Sequence, residues 1–133
     1  MQTMIINPEA LGAPSGYSNG ILVEPGGKLL FIAGQIGWNA EQQIVSGDFV
    51  AQFDQALSNV IAVVDQAGGT AQNIVRLTIY VTDKNEYATR RQEIGERYRK
   101  LMGKHFPAMV LVEVKGLLHD AAKVEIEGTA VIY

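Results

Sequence analysis

Two groups of side chains in this sequence have the type and spacing for chemistry on a small molecule. Glu125 and Glu127 stand two residues apart in the closing alternation, Lys123 to Tyr133, and so share one face of a strand. Carboxylates placed that way repel unless a cation or a proton separates them. Arg76, on the polar face of its own strand, is a candidate partner for one of them, and Glu127 reads as half of a cross-strand salt bridge. Glu125 reads either as a structural carboxylate or as a general acid/base acting on a bound ligand. The second group is Arg91. On a helical wheel it falls between Tyr87, Ile94 and Tyr98, inside the stripe expected to be buried. A guanidinium there needs an acceptor. It either pairs structurally, snorkels at a helix edge, or clamps an anion such as a carboxylate.

Other chemistries lack their residues. Pro25-Gly26-Gly27-Lys28 has neither the spacing nor the Ser/Thr of a phosphate loop. There is no G-x-G-x-x-G after a strand and no G-x-S-x-G. His105 and His119 stand alone in loops without ligand-type spacing, so no metal site is expected. The sequence has no cysteine, which excludes disulfides and thiol catalysis and fits a reducing compartment. A net charge of −3 and a pI near 5.3 speak against nucleic acid as a partner. The densest basic group, Arg90, Arg91, Arg97, Arg99 and Lys100, is interleaved with Glu86, Glu93 and Glu96. Apart from Arg91 it reads as a solvated helix face. Met1 to Pro8 shows no secretory pattern, and no apolar run approaches the ~20 residues of a membrane span. A cytoplasmic location without a membrane partner is therefore the expectation.

The elements that must position Glu125 and Arg91 follow from periodicity. With 133 residues, 47% of them hydrophobic and 19% charged, residues 1–133 are expected to form one globular domain. Residues 1–20 read as an irregular lead-in. Ile21 to Glu24 and Lys28 to Ala33 read as a hairpin around Pro25-Gly26-Gly27. From Asp48 to Ala67 the period becomes helical, with Phe49, Phe53, Ala56, Leu57, Val60, Ile61, Val64 and Ala67 on one stripe and Gly68-Gly69 as the stop. A strand over Ile74 to Thr82 directs Val75, Leu77, Ile79 and Val81 to one face and Arg76, Thr78 and Tyr80 to the other. A second helix spans about Glu86 to Met102, and Met109 to Val114 and Lys123 to Tyr133 are the last strands. The order β-β-α-β-α-β-β predicts an α+β fold with two helices on one face of a mixed sheet. The polar second face would meet water or line a subunit interface. A chain of this size buries only about two-thirds of its unfolded surface, and oligomerisation would add to that.

Ala33-Gly34-Gln35-Ile36, Asn73-Ile74-Val75-Arg76-Leu77-Thr78-Ile79-Tyr80-Val81, Phe106-Pro107-Ala108, Val112-Glu113-Val114 and Val124-Glu125-Ile126-Glu127-Gly128-Thr129-Ala130-Val131 together resemble the RidA/YjgF family of reactive-intermediate deaminases. The likeness runs from about Tyr17 to Ile132 in order and spacing. It implies a chorismate-mutase-like α+β fold, a homotrimer whose sheets meet around a central barrel, and a small-molecule cleft at each subunit interface. It also implies hydrolysis of enamines and imines to a carbonyl compound and ammonia, with no cofactor.

The site residues carry over only in part. Active family members place an arginine in Phe-Pro-Ala-Arg to hold the substrate carboxylate, and this sequence has Phe106-Pro107-Ala108-Met109. Met109 cannot bind a carboxylate. The hydroxyl residue often found before Gly-Gln-Ile is Ala33 ahead of Gly34, and the cysteine two positions beyond the arginine is Leu111. Tyr17 and Glu125 match, the resemblance assigning ligand orientation to the first and water activation to the second. Arg91 stands where active members carry an asparagine and would replace the missing guanidinium from another wall. The ligand-binding set implied is Tyr17, Ala33, Gly34, Arg91, Phe106, Met109 and Leu111, with Glu125 catalytic. The leading expectation is an enamine/imine hydrolase of altered specificity. The alternatives are a non-catalytic trimer that binds a metabolite or a partner protein, and an endoribonuclease, which the acidic charge and the unpaired histidines disfavour.

Overall fold

In the computed structural model, which describes residues 2–133, a four-stranded sheet carries the helices on one face. Its strands are β3 (Lys28–Ile36), β4 (Ile74–Val81), β5 (Ala108–Glu113) and β6 (Val124–Ile132), in the spatial order β3-β6-β4-β5. β4 and β5 are parallel and the other pairs antiparallel, so the sheet is mixed, as the α+β pattern predicts. A parallel pair needs a long crossover, and the second helical segment supplies it. Among the described residues no helix is long and apolar enough to cross a membrane.

Helix α1 (Phe49–Gln66) forms where the period predicts it. Asp48 caps it, its carboxylate accepting from the Ala51 amide at 3.0 Å. Gly68, at φ 90°, ends it in a conformation that favours glycine. Phe49, Phe53, Ala56, Leu57, Val60 and Val64 are all buried, whereas Ile61 at the edge of the stripe is half-buried and Ala67, past the last helical residue, is exposed. The buried side chains meet Ile32, Leu77, Ile79, Val81, Val124 and Ile126 of the sheet in one core.

Several expectations need correction. The second helix is two: α2 (Lys84–Thr89) and α3 (Arg91–Met102), broken at Arg90, whose φ −119° and ψ 25° leave the helical region. A wheel drawn through the break therefore misplaces Arg91, which is the first residue of α3 and exposed. The lead-in is not wholly irregular, because β1 (Thr3–Ile6) pairs antiparallel with β2 (Gly20–Val23) in a ribbon of its own. Pro25-Gly26-Gly27 accordingly joins β2 to β3 between two sheets and closes no hairpin. The Tyr133 hydroxyl fixes this departure by donating toward the carbonyls of Gln2 and Glu24, at 2.8 and 2.7 Å. In β4 a bulge at Val75 shifts the register, so that Ile74 is buried and Val75 is not. In β6 Val131, on the polar side of the alternation, is buried under the turn; a Cβ on Gly27 would lie 2.3 Å from it.

A polar residue inside the apolar stripe holds the long β3–α1 connection. Gln52 is completely buried. Its Nε2 donates to the carbonyls of Ser46 (2.9 Å) and Ala121 (3.0 Å), and its Oε1 accepts from the Lys123 amide at 2.8 Å. Asn59 likewise donates to the carbonyls of Ile36 and Trp38. Gln52→Leu keeps the volume and orphans three backbone groups, so it should cost about 3 kcal/mol in urea unfolding. A loss below about 1 kcal/mol would show that water replaces all three bonds.

Candidate functional site

The residues the sequence brings forward fall on two sides of the sheet. On the helix side, α2, α3 and the start of β5 enclose a cavity of about 300 Å³ with Phe53, Tyr87, Arg91, Ile94, Phe106 and Met109 in its wall. Its floor is rigid. Tyr98 and Phe106 stack in parallel with centroids 5.5 Å apart, and the Tyr98 hydroxyl donates to the His105 carbonyl at 2.7 Å. Burial holds the Tyr98 phenol above its ordinary range, so it acts here as a neutral donor. Met109 pairs with Leu77 and Leu111 with Ile79 across β5 and β4, and both side chains pack against the core. Met109 thus lends the cavity an apolar wall, while Leu111 belongs to the core beside it.

Arg91 stands at this cavity with no ion pair or hydrogen bond to the described residues. Its neighbour Arg90 takes the structural role instead. Arg90 grips Glu93 through Nε (2.7 Å) and Nη2 (3.0 Å) and reaches the helix-capping Asp48 at 2.5 Å. The Arg90 guanidinium holds the Glu93 and Asp48 carboxyls below their ordinary values. The exposure of Arg91 removes the desolvation cost that a buried position would carry, and leaves its donors free for a ligand.

Tyr17 is delivered to the same region by a small extension of the sheet. Ser18 forms a parallel bridge to Ala108. Its amide donates to the Pro107 carbonyl at 3.1 Å and its hydroxyl to the Phe106 carbonyl at 2.5 Å. Tyr17 then lines a second depression with Arg76, Ala108 and Val110, which shares Met109 with the first. Ser18 and the Tyr98–Phe106 stack carry no periodic signal, which is why sequence reasoning missed them.

On the opposite side of the sheet, Glu125 lies against Gly34. β3 carries one extra residue between Ile32 and Gln35, and this bulge brings the Gly34 backbone under the carboxylate. A Cβ built on Gly34 would stand 2.1 Å from Glu125 Oε2, so only glycine permits the approach. Ala33, beside it in the bulge, is exposed. Glu127 pairs with Tyr80, whose hydroxyl donates to its Oε1 at 2.5 Å, and not with Arg76. That bond holds the Tyr80 phenol above its ordinary value. Glu125 has no salt bridge or hydrogen bond among the described residues and does not reach Arg91. Within one chain the sheet separates the two.

Gly34→Ala should push the Glu125 carboxylate aside while leaving the fold intact, because the obstructing atom ends a flexible side chain. Any activity that depends on Glu125 should fall on the order of tenfold to a hundredfold with an unchanged melting temperature. Full activity would show that the placement of Glu125 over Gly34 is immaterial.

The sheet face around Glu125 is polar in its middle, with Glu127 and Thr129 on β6 and Arg76, Thr78 and Tyr80 on β4, and apolar at its two edges. On β3 Phe31 is 75% exposed and Leu29 65%, and Val110 and Val112 are exposed on β5 at the other edge. Exposed aromatic and aliphatic side chains such as Phe31 and Leu29 are what subunit contacts cover. Among the described residues no group of three or more His, Cys, Asp or Glu side chains is placed to hold a metal ion.

Residues 7–132 match the family model described as Endoribonuclease L-PSP. The chain is 37% identical over 131 residues to a RutC family protein of Haemophilus influenzae, covering 98% of each. It is 35% identical over 134 residues to the 2-iminobutanoate/2-iminopropanoate deaminase of Escherichia coli, again covering 98% of each. A Rid-family protein of unknown function from Yersinia pestis superposes with a TM-score of 0.86 at 33% identity, over 99% of this chain and 100% of that one.

Proposed function

Because the chain belongs to the endoribonuclease L-PSP family, known also as RidA/YjgF, we propose that it hydrolyses small carboxylate-bearing imines and enamines in a cleft between the subunits of a homotrimer. The observation that carries the reading is Arg91, a guanidinium unpaired among the described residues, on a cavity that Met109 also lines. Several relatives bear the name 2-iminobutanoate/2-iminopropanoate deaminase, and such substrates carry a carboxylate that needs a cation.

The roles follow from position. Arg91 holds the substrate carboxylate, with Tyr17 and Phe106 bordering the ligand and Met109 and Leu111 making the old anion position apolar. An enamine first tautomerises to the imine, gaining a proton at carbon and losing one from nitrogen. Water then adds to the imine carbon, Glu125 accepting one of its protons and passing it to nitrogen; the resulting carbinolamine gives up its hydroxyl proton to the same nitrogen, the C–N bond breaks and the carbonyl forms as ammonia leaves. The products are a carbonyl compound and ammonia, and water is the only co-reactant. Glu125 enters from the neighbouring subunit, its exposed sheet face, with Leu29 and Phe31, docking near the Arg91 cavity, with Ala33 and Gly34 on that second wall. Closure of three subunits about an axis supplies one such cleft per interface.

A binding-only role for the same cleft is the second reading, and the separation of Glu125 from Arg91 within the chain favours it. The endoribonuclease reading has less support. Both histidines are engaged with backbone: His105 Nε2 lies 2.6 Å from the Ile74 carbonyl oxygen, and His119 Nδ1 accepts from the Ala121 amide at 3.2 Å. The test is an imine-hydrolysis assay. An amino-acid oxidase generates imines from acidic, apolar and aromatic amino acids, and semicarbazide traps what survives. Reduced trapping for at least one substrate is expected; none across the panel, with ligand binding retained, would establish the binding-only role.

A further inference from the structure

The four arginines from Arg90 to Arg99 are sorted by what faces them. Arg90 meets Asp48 and Glu93, and Arg97 meets Asp54 of α1. Arg91 and Arg99 line the cavity, and among the described residues neither has a carboxylate or a hydrogen-bond acceptor. They stand eight residues apart with Gly95 midway, so all three share one face of α3. Their Cα atoms are about 12 Å apart along the helix. The Arg99 side chain spans part of that gap, its Nη1 lying 3.3 Å from where a Cβ on Gly95 would be. Any larger residue at 95 would crowd it.

Two cations border one apolar chamber, floored by Phe53, Ile79, Ile94 and Met109. A monocarboxylate can satisfy one guanidinium and leaves the other facing an apolar wall. An acid with a carboxylate at each end satisfies both and neutralises their mutual repulsion. A volume of about 300 Å³ lies at the small end of ligand pockets and restricts the ligand to a short one. We infer that this pocket selects small dicarboxylates with an apolar or unsaturated middle, Arg91 holding one end and Arg99 the other. This rests on the reading of the α3–β5 cavity as the substrate site. It narrows the substrate to imines and enamines with a second carboxylate.

Calorimetric titration of the intact protein tests it, using glutarate against pentanoate and adipate against hexanoate. The dicarboxylates should bind about tenfold or more tighter than their matched partners. Arg99→Gln, an exposed exchange between good helix formers, should erase that advantage while leaving monocarboxylate affinity within about twofold. Arg91→Gln should weaken both classes. Equal affinity of the wild-type protein for matched acids, or an undiminished preference in Arg99→Gln, would overturn the dicarboxylate inference and leave the pocket standing. No binding of any of the four acids would overturn both.

Discussion

Glu125→Gln should lower imine hydrolysis on the order of 10²- to 10⁴-fold, the usual loss when a positioned acid/base group is removed. Glutamine keeps the shape over Gly34 and cannot accept the proton of the attacking water. Glu125 forms no salt bridge or hydrogen bond to other described residues, so the melting temperature should stay within about 1–2 °C. Affinity for an unreactive acid should also be retained, which separates this role from one in binding. Glu127→Gln is the matched control. Glu127 lies two residues along the same face but is bonded to the Tyr80 hydroxyl, and its variant should lose less than about tenfold. Equal losses in the two variants would reassign Glu125 to general electrostatics of the sheet face.

Arg91→Gln should raise KM for carboxylate-bearing imines about ten- to a hundredfold, because a charge-assisted and potentially bidentate contact is lost. kcat should change less, since the carboxylate is held alike in ground and transition states. Arg91→Lys should restore part of the affinity, a lysine supplying charge without the planar fork. Arg90→Gln gives the opposite pattern. It breaks the contacts to Asp48 and Glu93 that join α1 to α3, and should lower stability while leaving KM near that of the wild type. An unchanged KM in Arg91→Gln would remove the carboxylate from that end of the cavity.

The architecture was legible wherever one period governs a segment. α1 is a single amphipathic stripe, and the alternations of β4 and β6 predict their core faces apart from one bulge and one covered valine. What escaped are contacts between segments that lack a period. β1 is four residues long and recognisable only through its pairing with β2. The break at Arg90 depends on a triangle of charges reaching 42 residues back along the chain, which no wheel contains. For the site, residue types pointed to Glu125 and Arg91 but not to the sheet lying between them. Arg99 reads as one more charge on a solvated face until Arg97 is seen to pair with Asp54 and Arg99 is seen to pair with nothing described. Gly34 matched the family pattern, but its reason, a bulge beneath a carboxylate, needed the register of β3 against β6.

The most direct test is complementation between subunits. Arg91→Gln and Glu125→Gln proteins, each poorly active alone at substrate well below the wild-type KM, are unfolded together and refolded as an equal mixture, and imine hydrolysis is measured at that concentration. If each cleft takes Arg91 from one subunit and Glu125 from its neighbour, about three quarters of the trimers are mixed and each has one intact cleft of three. Activity should return to about a quarter of the wild-type value. A mixture that has exchanged subunits, shown by mass, and is no more active than its parents would contradict a cleft shared between subunits.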